Sequence, residues 1–519
     1  MSGARVRRLV PPQRMAGSNG VAFGPDGRLH VAEYLAGRIS AVEVATGEVE
    51  VVVGEDGPVA APDDLAFGPD GSMYVTDLVP GRVWRRAPDL GWTLVTDRVA
   101  VPNGIAFAGE RLFVNEMRPG GRLLEVFPDG GEPVVLADGL AMGNAMQLGP
   151  DGFLYYPHML TGRVFRVPPG GGTPELVADR VPAPVAVRFD RGGLLLVLSH
   201  GAGGVVTRID LFGTGERTAQ PCGISGLDNA AFDAENRMFV SSYAAGGIAE
   251  LSADGRTREL VQPGFAGPFG VALDDAGKVH AADHYRITSP SDGRVSTTDF
   301  QIFSHGIVAD GEVLHVTSQY GEVRTYRPAD GQTRVRAKGL HRPVGVAVRE
   351  DGALVVAEAG AGRVVAIDGM DAVTVLAEGF TEPVDVAFDG SRCYVSDQAA
   401  GAVLRIDDGE RRGVPVVTGL AAPQGLAVRD GELIVLETGR GRLLAADPGT
   451  GETRVVVADL AVGGEREPPA LFTHGLPGVP RRFAGIAVGP DGTLYISADG
   501  EGSVGRVEED AAPAGAAGE

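Results

Sequence analysis

Apolar and polar positions alternate in short runs along almost the whole chain, and the runs recur as a unit. The first copy, NGVAFGPDGRLHVAEYLAGRISAVEV from Asn19, sets the order. A polar residue and a glycine precede an apolar triplet, a turn and a strand ending in an acid. A small linker, an arginine and another apolar strand follow. Alternation with a period of two predicts half-buried strands. The GPDG tetrapeptides at Gly24, Gly68, Gly149 and Gly489 predict tight links between them. With the EVEVVV-type segment that comes next, each unit offers four short strands, A to D.

The unit returns about every 40 residues. Its strand A starts fall near Asn19, Asp63, Asn103, Asn144, Val185, Asp228, Phe269, His305, Val344, Val384, Gln424 and Ala484. Four antiparallel strands at this spacing predict a propeller blade. One such sheet cannot bury both faces, so blades must pack radially and share cores. The predicted fold is all-β: tandem β-propellers, twelve four-stranded blades grouped as two six-bladed rings.

Segment RVRRLVPPQRMAGSNGVAF, from Arg5, matches RTRELVQPGFAGPFGVAL, from Arg256, in phase. Each reads as an orphan strand D leading into strand A, while the last unit ends after strand C. The expected boundaries are therefore 1–255 for the first propeller and 256–507 for the second, with 508–519 a disordered tail. Each ring would be sealed by its own early strand D, leaving no open edge. The long interruption from Val462 reads as a lid, an inter-ring contact or a mobile loop.

Composition narrows the function. The 519 residues include 78 Gly and 35 Pro, as a turn-rich fold requires, and 44% are apolar, enough for a folded core. A formal net charge of -22 argues against nucleic acid or an anionic membrane as partner, leaving a small molecule. Cys222 and Cys393 lie in different halves, which predicts no disulfide framework. The start lacks an apolar signal region, and no apolar run approaches the roughly 18 residues of a membrane span. A cytoplasmic location is expected.

Two recurring polar positions carry candidate chemistry. The end of strand B holds Glu33, Asp77, Glu116, His158, Ser199 and Ser242 in the first ring, usually followed by an arginine such as Arg38, Arg82, Arg122 or Arg163. Acid and arginine tend to vanish together, which predicts a structural brace across the B–C turn. His158 breaks the rule, and His200 occupies the adjoining slot one blade later; both are candidate proton carriers.

The second position starts strand A, at one mouth of the channel. In the first ring it holds Asn19, Asp63, Asn103, Asn144, Val185 and Asp228, with Asn229 adjacent, whereas the second ring is mostly apolar there. Converging carboxylates and carboxamides are what a hard divalent cation requires: Ca²⁺ first, with Mg²⁺, Zn²⁺ or Mn²⁺ as alternatives.

The repeat resembles the senescence-marker/gluconolactonase-like superfamily, together with paraoxonase-like, strictosidine synthase-like and NHL-repeat propellers. VPNGIAF around Asn103, MGNAMQLGPDG around Asn144 and GLDNAAFD around Asp228 carry the resemblance. It implies Asn103, Asn144 and Asp228 as metal ligands, with Asn229 beside them. The family's first-blade Glu is Asn19 here. Its Asp comes one blade late, past Val185.

The implied activity is metal-dependent hydrolysis of a lactone or related ester at the first ring's mouth, with His158, His200 or Asp63 as base. Two alternatives stand beside it: a lyase, isomerase or cyclase on the same scaffold, and a non-catalytic binding or scaffold propeller.

Overall fold

The computed structural model describes residues 4–299, 303–318, 320–407, 409–463, 472–473, 476–477 and 481–509. It contains the expected twelve four-stranded antiparallel sheets. GPDG turns link strands A and B as predicted. The Gly27 N–H bonds the Gly24 carbonyl at 3.0 Å, and Gly27 takes φ +79°. That left-handed conformation suits glycine and closes the hairpin.

The first ring runs from Arg14 to Ala266, and its six blades follow one another without interruption. Their innermost strands are Ser18–Phe23, Pro62–Phe67, Pro102–Ala108, Gln147–Leu148, Pro184–Phe189 and Leu227–Phe232. Each neighbours the next around the channel, and the sixth returns to the first. The seam is apolar: Val21, Leu29 and Val31 of the first blade share a core with Phe239, Ile248 and Val261 of the sixth.

The second ring comprises the residues up to Gln13, those from Gly267 to 466 and those from 480 onward. Its innermost strands are Pro268–Leu273, Ser304–Asp310, Pro343–Val348, Pro383–Asp389, Pro423–Arg429 and Ile486–Val488. They too form a complete circle.

Closure corrects the boundaries expected from sequence. Ala4–Arg8 pairs with Ser503–Glu509, so the N-terminal strand completes the last blade of the second ring. Thr257–Val261 pairs with Ile248–Leu251 and completes the sixth blade of the first ring. Neither strand seals the ring whose strand A follows it. Each joins the A–C set that lacks a fourth strand, burying that set's open edge. Glu508 and Glu509, expected in the tail, belong to the strand that Ala4–Arg8 pairs with; the rest of the tail lies outside the described residues. So does most of the interruption after Val462, within which Phe472–Thr473 pairs with Leu476–Pro477.

The acid–arginine brace is present at Glu33 and Glu116, with an additional partner, while Asp77 takes the Ala60 and Ala61 N–H groups at 3.1 and 2.7 Å. Glu33 accepts from Arg38 at 3.0 Å and from the Ala16 N–H at 2.9 Å. Glu116 likewise takes the Ala100 N–H at 3.1 Å, besides Arg118 and Arg122. The acid therefore pins the loop entering its own blade as well as the B–C turn. Blade seven keeps its brace in a shorter turn, with buried Arg286 on Asp283 at 2.6 Å.

Burial alone would raise the Glu116 pKa, but its arginine and backbone donors hold it below the ordinary value. A depressed carboxyl pKa stabilises the fold above the unfolded-state pKa, and this contribution is lost as pH falls through the folded value. Glu116→Ala is expected to cost about 3 kcal/mol at pH 7. In urea titrations, the variant's deficit should shrink below about pH 4.

Candidate functional site

Strand A starts are locked at the first ring's mouth by hydrogen bonds from the blade before. Ser241 Oγ donates to the Asn19 carbonyl at 2.5 Å, and Asn115 Nδ2 to the Asn144 carbonyl at 2.6 Å. Asn144 and Ala145 leave the regular ladder of blade four. The Ala145 N–H bonds the Val185 carbonyl at 3.1 Å, and Ala145 accepts from Val187 at 3.0 Å. These bonds fix the positions from which the polar side chains converge.

Asn19, Asp63, Asn103 and Asn144 are buried, while Asp228 keeps part of its surface open to solvent. Asn19 Nδ2 donates to Asp63 Oδ1 at 3.0 Å. The Nδ2 groups of Asn103 and Asn144 both face Met117 Sδ, at 2.9 and 3.8 Å. This leaves the Oδ1 atoms of Asn19 and Asn103 buried without a hydrogen-bond partner. Burial raises the Asp63 pKa to about 7, with the Asp64 charge adding to it. Asp228 is also pushed far up, by burial and by the charges of Asp63 and Asp64. Acids that repel one another and orphaned carboxamide oxygens form a cradle suited to a cation.

Deeper in the channel lies a pair that sequence reasoning missed. Arg188, buried, donates to the carbonyls of Ala230, Met146 and Val187 at 2.8, 2.9 and 2.9 Å. Its Nη2 reaches Asn229 Oδ1 at 2.5 Å and lies 3.9 Å from Asp64 Oδ2. Asn229 Nδ2 completes the circuit to Asp64 Oδ1 at 3.1 Å. Asp64 also accepts the N–H groups of Leu65 at 2.9 Å and Ile105 at 3.4 Å. Asn229 is thus committed to the guanidinium and the carboxylate, which removes it from the candidate ligands. The sequence did carry a signal: the slot of Asp64 is glycine or alanine in most blades, and the slot of Arg188 is alanine in most.

The two histidines separate. His158 packs on Phe165 at 4.5 Å between ring centroids and on Tyr156 at 5.7 Å. Burial, with Arg163 nearby, lowers its pKa to about 4. These contacts place the His158 ring in an aromatic cluster, while its backbone bridges Gly143 beside Asn144. His200 Nδ1 lies 3.2 Å from the Tyr243 hydroxyl. Burial lowers the His200 pKa, while burial and the Asp228 charge raise that of Tyr243. His200 therefore stands one residue from a group that senses the acids at the mouth.

The second ring's mouth carries an apolar and aromatic cap of Phe269, Val344, Val384 and Phe483, with His305 against it. Below lies a cavity of about 290 Å³ bounded by all six innermost strands. Its one acid is Asp385, buried and pushed up to about 7 by burial.

Among the described residues, no group of three or more His, Cys, Asp or Glu has the arrangement to hold a metal, and no helix is long and apolar enough to cross a membrane. Any ion at the first mouth must therefore draw on carboxamide oxygens.

The fold makes the chain a tandem six-bladed β-propeller protein. No family model and no curated sequence matches it. Similar solved structures include virginiamycin B lyase from Staphylococcus aureus, at 18% identity and a TM-score of 0.38, over 61% of this chain and 96% of that one. A gluconolactonase from Xanthomonas campestris shows 19% identity and a TM-score of 0.39, over 46% and 86%. Regucalcin from Agrobacterium tumefaciens, a calcium-binding protein, shows 19% and 0.37, over 46% and 86%. Likenesses this distant carry no chemistry across, so the first ring is read from its own residues.

Proposed function

We propose that the first ring is a divalent-cation-dependent hydrolase acting on a lactone or related ester at its channel mouth. The supporting observation is the cradle itself: Asp63 and Asp228 beside the partnerless oxygens of Asn19 and Asn103. Asn144 is the fifth donor, through the Oδ1 that also accepts the Ala145 N–H at 2.7 Å. Oxygen donors of this kind fit Ca²⁺ best and accommodate Mg²⁺ or Mn²⁺. A bound ion supplies Lewis acidity toward a substrate carbonyl and acidifies water.

The chain's own groups do the rest. Met117 orients the carboxamides of Asn103 and Asn144, turning their oxygens away from the thioether. His200, held against Tyr243 with its pKa lowered by burial, is the group that takes the proton. Asp63 is placed better to hold the ion than to move protons, because Asn19 fixes its Oδ1.

Calorimetric titration with CaCl₂, MgCl₂ and MnCl₂ tests the site, with metal analysis of the purified protein. One ion per chain is expected, lost in Asp228→Ala and weakened about tenfold or more in Asn103→Ala, with unchanged circular dichroism. A wild-type chain that binds no ion and hydrolyses no lactone in a panel with each ion overturns the reading. Product analysis separates hydrolysis, which yields a hydroxy acid, from elimination, which yields an unsaturated product.

A further inference from the structure

The two channels share one device, and only the first completes it. In the first ring, Asp64 occupies the third position of its innermost strand and bonds the N–H groups of Leu65 and Ile105. In the second ring, Asp385 occupies the same position. It bonds the Val386 N–H at 2.9 Å and, on the next blade, the Leu426 N–H at 2.9 Å. Each carboxylate is tucked against a glycine of the preceding blade. A Cβ on Gly20 would fall 2.4 Å from Asp64 Oδ1, and one on Gly345 would fall 2.0 Å from Asp385 Oδ1.

The difference lies three blades further round. There the first ring places Arg188, whose guanidinium meets Asp64 and three carbonyls of the channel wall. The corresponding position in the second ring is Ala272. The residues matching those three carbonyl acceptors are Ile307, Ile486 and Val271, and all three line the 290 Å³ cavity together with Asp385. Glycine replaces bulk in the tier of Asp385, at Gly270, Gly306, Gly345, Gly425 and Gly485. Among the described residues Asp385 forms no ion pair, and the other side chains lining the cavity are apolar. A buried carboxyl without a counter-charge is costly, and an arriving cation removes that cost.

We propose that the second ring's channel binds a small organic cation with a guanidinium head, which takes the place against Asp385 that Arg188 takes against Asp64. Its alkyl portion lies along Val271, Ile307, Val346 and Leu426. Access is from the end framed by Leu273, Ala309, Phe388 and Val488, opposite the apolar cap of Phe269 and Phe483. This site is independent of the ion-binding cradle in the first ring.

Calorimetry on the full chain with n-butylguanidinium and with its neutral counterpart n-butylurea tests the proposal. Saturable binding of one butylguanidinium per chain is expected, with none for the urea. Asp385→Asn should weaken binding about 30-fold or more. Ala272→Arg should fill the cavity with an internal guanidinium, abolish binding and raise the melting temperature. Absence of saturable butylguanidinium binding by the wild type overturns the proposal, as does binding that survives Asp385→Asn. Equal binding of the urea shows a merely apolar cavity and overturns it as well.

Discussion

Arg188→Met is expected to destabilise the first ring by about 3–5 kcal/mol, the penalty for leaving a buried charge without its partner. The methionine keeps the apolar stem of the arginine, so packing along the stem is retained. What is lost is the charge facing Asp64 and the donors to the carbonyls of Ala230, Met146 and Val187. Adding Asp64→Asn should recover a substantial part of the loss, because the double variant buries no unpaired charge. Denaturant midpoints for the two single variants and the double complete the cycle. If Arg188→Met and wild type unfold at the same midpoint, the guanidinium is not what holds the channel together.

Deleting the strand Ala4–Arg8 should act on the second ring and spare the first. Its register with Ser503–Glu509 supplies the ladder of the last blade, and Val6 packs on the core formed by Ile434, Ile496 and Val507. Losing those bonds and that burial is expected to cost about 5 kcal/mol. At this domain size the second ring's transition should fall by about 10–20 °C. Calorimetry should then show two separated transitions where one moved. The segment 14–266 carries all six of its blades and is expected to fold cooperatively alone. The segment 1–255 lacks Thr257–Val261, leaves the edge of Ile248–Leu251 open and is expected to aggregate. A soluble, cooperatively folding 1–255 beside an insoluble 14–266 would reverse the assignment of the closing strands.

The blades were legible in the sequence because a four-stranded sheet imprints both its alternation and its turn residues. The partner of each orphan strand was not. Likeness between the segments at Arg5 and Arg256 identifies a strand type, and strand D has the same polar, β-branched pattern whichever blade it joins. Selection between the two pairings comes from long-range burial, such as Val261 against Val21 and Val6 against Val507, which no local pattern records.

The mouth residues were legible for a related reason: strand A starts repeat in phase, so Asn103, Asn144 and Asp228 declared themselves as departures. His158 also departed from its slot, yet its ring packs on Phe165. A titratable residue in an unusual position has only an even claim to chemistry until its neighbours are known. Asp64 and Arg188 escaped because they lie 124 positions apart in sequence. Only closure of the ring brings their charges together.

The order in which the blades are sealed also bears on how the chain is made. Every strand of the first ring has left the ribosome by Val261, so that ring can fold while the rest is being synthesised. Ala4–Arg8 is made before any of it, yet its partner Ser503–Glu509 emerges only after the second ring's other strands. Throughout that interval the earliest strand waits unpaired, and the incomplete last blade has no cover for its edge. Nascent-chain aggregation should therefore concentrate in the interval before Ser503–Glu509 emerges. Its suppression would depend on how quickly one short N-terminal strand finds the last.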